Sequence, residues 1–129
     1  MISFSPIEYE APPELFEAVE LFNEQEFYEA HEVLEDLWHD EPRPIRAVYQ
    51  GVLQIGVGIY HMERGNFKGA VRLIGGGCEL IEPHGEEALD LCLGKLRRDG
   101  LALLAELTRL GPDRLEELDR TLIMTIDLC

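Results

Sequence analysis

Apolar positions recur at three- and four-residue spacing along most of the 129-residue chain, the periodicity of helices that bury one face. Pro12 and Pro13 suit a first turn, and Leu15, Phe16, Ala18, Val19 and Phe22 then share a stripe, which predicts a first helix to about Phe22. Asn23 followed by Glu26 has the form of a capping box and predicts a second helix from near Glu24 to about His39. The linker Asp40-Glu41-Pro42-Arg43-Pro44 forces a turn, because each proline removes a donor and restricts the residue before it. A third, unusually apolar helix is predicted from Ile45 to about Arg64, where Gly51, Gly56 and Gly58 would let another backbone come close. Asn66 to about Ile81 reads as a fourth helix that Gly75-Gly76-Gly77 should weaken or end early. After a loop at Pro83-His84-Gly85, Leu91, Leu93, Leu96, Leu101, Leu103, Leu104 and Leu107 mark a fifth helix ending at Gly111-Pro112. Leu115 to Leu128 reads as a sixth, although the β-branched residues of 121–126 equally suit an extended segment.

Phe27-Tyr28-Glu29-Ala30 is echoed by Phe67-Lys68-Gly69-Ala70 forty positions on, each opening a helix after a short polar turn. The expected fold is all-α, a compact antiparallel bundle of five to six helices built from stacked helix pairs. The length and the 46% hydrophobic content suit one domain over residues 1–129, with residues 1–12 an extended or disordered start.

Composition narrows the function classes. No apolar run is long enough to span a membrane, and the start lacks the basic and hydrophobic segments of a leader, so the cytoplasm is the expected location. The net charge is −15, and residues 1–42 hold 13 of the 26 acidic side chains with no Lys or Arg. Such a field repels phosphate backbones and argues against a nucleic-acid partner. Cys78, Cys92 and Cys129 lack CxxC spacing and read as reduced packing residues. The leucines of the fifth and sixth helices exceed what a small core needs, which makes a homodimer an expected arrangement.

The chemistry concentrates in the second helix. His31, Glu35 and Trp38 fall within about 60° of arc at ~100° per residue, beside Phe27 and Leu34, so an imidazole and a carboxylate border an apolar face where polar groups need partners. On the third helix Gln50, Gln54, Val57 and His61 form another stripe. Antiparallel pairing about Pro42 would set Glu35 level with Gln50, His31 level with Gln54 and Trp38 beside Arg46. His61 would then lie about 10 Å further along, too far to share an ion with His31.

The segments Phe22-Asn23, Glu26 to Glu35 with Trp38, Tyr49-Gln50-Gly51-x-x-Gln54, and His61-x-x-x-Gly65-Asn66-x-x-Gly69-Ala70 resemble the bacterial and archaeal family called domain of unknown function 309. The likeness covers residues 14 to 107 and includes its hallmark His-x-x-x-Glu-x-x-Trp or Tyr at His31, Glu35 and Trp38. The resemblance implies a small all-helical fold without an assigned activity, and a conjectured metal-binding role for the motif. Members often have glycine where this chain has Gln25.

Three functional readings follow. A divalent metal ion would take His31 and Glu35 as ligands, with Glu32 or water completing its shell. A small-molecule pocket would use Trp38 as a wall, Gln50, Gln54 and Arg46 for polar contacts, and His31 with Glu35 for proton transfer. Alternatively the stripe is a structural hydrogen-bond network in a helical protein-interaction module. Known motifs do not add to these. His31-Glu32-Val33-Leu34-Glu35 lacks the second histidine of HExxH. Neither His31 nor His61 follows a glutamate at the spacing of a di-iron cage, and the two serines, Ser3 and Ser5, give no triad nucleophile.

Overall fold

The computed structural model describes residues 9–129, so most of the expected extended start, residues 1–12, lies outside the described residues. Five α-helices follow in chain order: α1 (Pro13–Asn23), α2 (Phe27–Asp40), α3 (Arg46–Glu63), α4 (Phe67–Ile81) and α5 (Leu93–Leu110). Each packs on the next in sequence, and α3 against α4 is the most extensive pairing. Leu15, Phe22, Leu34, Ile55, Ile59, Ile74, Ile81, Leu96, Leu103 and Leu107 are fully buried between them, so every helix gives its apolar stripe to one core.

The forty-residue echo is real in three dimensions. At the end of α1, Gln25 N–H donates to Phe22 O and Glu26 N–H to Leu21 O; at the end of α3, Gly65 N–H donates to Met62 O and Asn66 N–H to His61 O. Both are Schellman turns with a left-handed residue in the middle. That residue is Gly65 at φ 78° in the second pair and Gln25 at φ 64° in the first. A side chain is strained there, which accounts physically for glycine at this position in the resembling family. Gln25→Gly is expected to raise the unfolding free energy by about 1 kcal/mol, read as a higher urea midpoint with unchanged slope. A lower midpoint would mean that the Gln25 side chain stabilises the turn more than its backbone strains it.

Several expectations are corrected. Asn23 does not cap α2; its side chain accepts from Ile126 N–H at 2.7 Å and donates to Ile126 O at 3.0 Å, 103 residues away. The glycine triplet does not end α4, which runs unbroken to Ile81. A Cβ at Gly77 would lie 2.6 Å from Gly51 O, and one at Gly58 2.7 Å from Ile74 Cγ1. The glycines therefore form a seam where α3 and α4 approach backbone to backbone, and packing outweighs their poor helix propensity.

After α4 a 3-10 turn (Glu82–His84) leads into a two-stranded antiparallel hairpin of β1 (Glu87–Ala88) and β2 (Leu91–Cys92), which takes Leu91 out of the predicted fifth helix. Leu89 and Asp90 both take positive φ, 53° and 63°, the pattern of the type I′ turn that matches strand twist. The sixth helix does not form. Two 3-10 turns (Leu115–Glu117 and Arg120–Leu122) precede a strap that bridges Leu128 to Leu91, so the extended alternative holds for its second half. Cys92 and Cys129 are disulfide-bonded and Cys78 is free and buried, which overturns the reading of all three as reduced packing residues.

Leu91, Leu93, Leu96, Leu103 and Leu107 are core residues and not surplus; Leu101 and Leu128 remain exposed. No helix of the described residues is long and apolar enough to cross a membrane.

Candidate functional site

The helical spacing does what it promised within α2. His31 Nε2 lies 3.0 Å from Glu35 Oε2, one turn along, so the carboxylate accepts the Nε2–H, and in the neutral form of the ring the lone pair is then on Nδ1. Nδ1 is buried and has no protein partner. The Glu35 carboxylate is half exposed and the imidazole side chain 28% exposed, which places the pair at the rim of the α2–α3 seam with one ring nitrogen turned away from solvent.

The surroundings of the pair were only partly foreseen. Phe27, Tyr28 and His31 of α2 and Val57, Tyr60 and His61 of α3 line a cleft of about 190 Å³. Its wall is aromatic: the Tyr28 ring centroid is 5.6 Å from His31 and 6.2 Å from Tyr60. His61, expected about 10 Å further along and too far to share an ion with His31, is nonetheless part of this cleft's lining. Its Nδ1 lies 3.2 Å from Asn66 Nδ2, so the amide donates and leaves the imidazole hydrogen on Nε2. Asn66 is itself fixed, because its Oδ1 accepts from Gly69 N–H at 3.0 Å as the cap of α4. The cleft residues thus include one imidazole with a free acceptor and one with a free donor. Arg64 lies over Tyr60 at 4.3 Å and stacks on that ring.

The other predicted site residues fall elsewhere. Trp38 and Arg46 do meet, the guanidinium 4.5 Å over the indole and its Nη2 donating to Trp38 O at 3.3 Å. They form a separate cluster nearer the α2–α3 turn and do not line the cleft. Gln50 and Gln54 are half-buried and make no hydrogen bond with His31 or Glu35. Gln54 Oε1 instead lies 2.8 Å from where a Cβ on Gly76 would sit, so this amide is against α4. The expected level pairing of His31 with Gln54 is corrected to His31 with Val57, Tyr60 and His61. The physical cause is the rotation of α3 about its axis, which the glycine contacts of Gly51 and Gly58 with α4 fix. Glu32 is exposed, and among the described residues no three His, Cys, Asp or Glu side chains are grouped to hold a metal ion. Glu32 is therefore not grouped with the His31–Glu35 pair as a third protein ligand. Arg43, in the linker after α2, is engaged by Glu41 at 2.5 Å and lies over Tyr9; that guanidinium holds the Glu41 carboxyl below its usual range.

Tyr28 and Tyr60 are the site residues that sequence reasoning missed. The signal was available in part, since Tyr28 falls three positions before His31 and Tyr60 adjoins His61. A tyrosine at helical spacing carries no mark of which neighbour it will face.

Residues 15–73 match the family described as Domain of unknown function (DUF309), in agreement with the resemblance read from the motifs. The chain is also 33% identical over 76 residues to the "Uncharacterized protein YpuF" of Bacillus subtilis (strain 168), a match covering 58% of this chain and 44% of that protein. It therefore spans less than half the length of the curated relative. The whole cleft, from Phe27 to His61, lies inside the matched segment, whereas α5 and the strap lie beyond it.

Proposed function

We propose, from the match of residues 15–73 to the family described as Domain of unknown function (DUF309), that the cleft between α2 and α3 binds a small organic ligand. The ligand seats one ring or a short aliphatic body among Phe27, Tyr28, Val57 and Tyr60 and gives a hydrogen bond to His31 Nδ1. The observation that carries this reading is the buried, unpartnered Nδ1 at an aromatic cleft, because a buried acceptor without a partner costs free energy that a donor on a ligand recovers. A volume of about 190 Å³ is below the usual drug-site range, so the ligand is small. The net charge of −15 favours neutral or cationic ligands over anions. With Glu35 on Nε2, His31 is also positioned to accept a proton at Nδ1, the step that acid–base chemistry on such a ligand would need.

Benzylamine is a suitable probe, a single ring bearing N–H donors, with benzoate as the anionic comparison. Titration into the full chain is expected to shift the ring resonances of His31, Tyr60 and His61 at millimolar concentration, and benzoate is not. His31→Ala is expected to weaken benzylamine binding about tenfold, while His84→Ala, outside the cleft, leaves it unchanged. Absence of any response to benzylamine at these three rings overturns the proposal. If instead a divalent ion binds and both His31→Ala and Glu35→Ala abolish it, the metal reading replaces the ligand one, with water supplying the ligands that the protein does not.

A further inference from the structure

The strap of residues 123–129 is tied down at several points, none of them among the residues that line the cleft. Cys92 N–H donates to Asp127 O at 2.9 Å and Cys129 N–H to Asp90 O at 2.8 Å, on either side of the Leu91–Leu128 bridge. Asn23 of α1 holds both backbone groups of Ile126. Ile123, Met124 and Ile126 point into the core while Thr125, Asp127 and Leu128 are exposed, so the strap is a cover one residue thick. The Cys92–Cys129 bond, with Cα atoms 5.1 Å apart, closes a loop of 37 residues around α5 and the strap.

Accessibility separates the three cysteines. Cys129 is exposed, Cys92 is half-buried, and Cys78 is buried. Burial pushes the Cys78 thiol up to about 11, which keeps it protonated and unreactive. Cys92 is the N-cap of α5, at the positive end of an 18-residue helix that favours negative charge on a sulfur.

We propose that Cys92 and Cys129 form a thiol–disulfide latch, exchanging with low-molecular-weight disulfides, that sets whether the 123–129 strap stays docked. In closing, the exposed Cys129 thiolate attacks one sulfur of oxidised glutathione, forming a mixed disulfide and expelling one glutathione thiolate. The Cys92 thiolate then attacks the Cys129 sulfur and expels the second. Two electrons pass from the cysteine pair to the small disulfide, and the two protons lost by the cysteines are taken up as two glutathione thiols form. Reversal with two reduced glutathione molecules opens the latch. The strap is then left with its backbone bonds and three buried side chains to oppose the entropy of a free segment. Its departure removes Ile126 and Leu128 from the wall of the surface groove of about 630 Å³ that they form with Phe16, Val19 and Glu20 of α1.

The test uses the full chain equilibrated in glutathione buffers of graded ratio, with thiols counted by maleimide labelling and mass spectrometry. One cysteine pair is expected to titrate as a two-electron couple, with Cys78 unlabelled until the protein is denatured. Hydrogen exchange at the amides of Cys92, Ile126 and Cys129 is expected to accelerate at least about tenfold on reduction. Cys129→Ser is expected to reproduce that change under oxidising conditions, with protection elsewhere in α1–α5 retained. Two labelled native-state thiols in oxidised glutathione overturn the proposal, as does a disulfide that no glutathione ratio reduces. Exchange at the cysteines with unchanged protection of the strap also overturns it, since the bond would then restrain nothing.

Discussion

Gly77→Val is expected to lower the unfolding free energy by about 3 kcal/mol or more, a large loss for one substitution in a domain of this size. The atom that any larger residue adds would meet Gly51 O at 2.6 Å, Ile55 Cγ1 at 2.7 Å and Ile55 N at 3.0 Å. Two of these three are backbone atoms within a helix and cannot turn aside as a side-chain end can. The α3–α4 seam must open, and with it the most extensive helix pairing of the fold. Gly75, two residues earlier on the same helix, makes the comparison. A Cβ there meets Leu104 Cδ2 at 3.5 Å, an ordinary contact, so Gly75→Ala is expected to be neutral or to gain up to about 1 kcal/mol from helix propensity. Urea denaturation followed by circular dichroism measures both. Equal effects at the two positions would show that propensity alone governs α4 and that no close approach exists.

Phe27→Ala is expected to cost about 3–5 kcal/mol. Phe27 is 3% exposed, stands edge-on to Phe22 at 5.1 Å between ring centroids, and also forms part of the cleft wall. Removing it leaves a void in the core that opens onto the cleft. Its counterpart in the echo, Phe67, opens α4 at the same position but is only half-buried. Phe67→Ala is therefore expected to cost about 1–2 kcal/mol. A Phe67→Ala loss as large as that of Phe27→Ala would contradict this ranking, because it would mean that the repeated motif and not its surroundings sets the energy.

The His31–Glu35 pair and the meeting of Trp38 with Arg46 were legible in the sequence for different reasons. The first follows from one turn of helix, in which offsets of four bring side chains together whatever surrounds them. The second follows from a short proline-bounded linker, which keeps residues near the turn side by side. Gln50 and Gln54 lie further from that turn. Their direction depends on how α3 is rotated, and a small error in rotation moves an amide from one neighbouring helix to the other. The same uncertainty hid His61 and the two tyrosines. Asn23 shows the converse failure: a local motif was complete in the sequence, yet a partner 103 residues away took the side chain.

Sequence alone determined the five helices, the proline linker after the second, the acidic first third and the imidazole–carboxylate pair, because each arises from interactions within a few residues. Tertiary structure decided that three consecutive glycines strengthen a helix pairing, that residues 123–129 form a strap and not a helix, that Cys92 meets Cys129, and that His31 of α2 shares a cleft with Tyr60 and His61 of α3. Those outcomes rest on contacts between segments far apart in the chain, where the free energy comes from surfaces that meet only once the helices have packed.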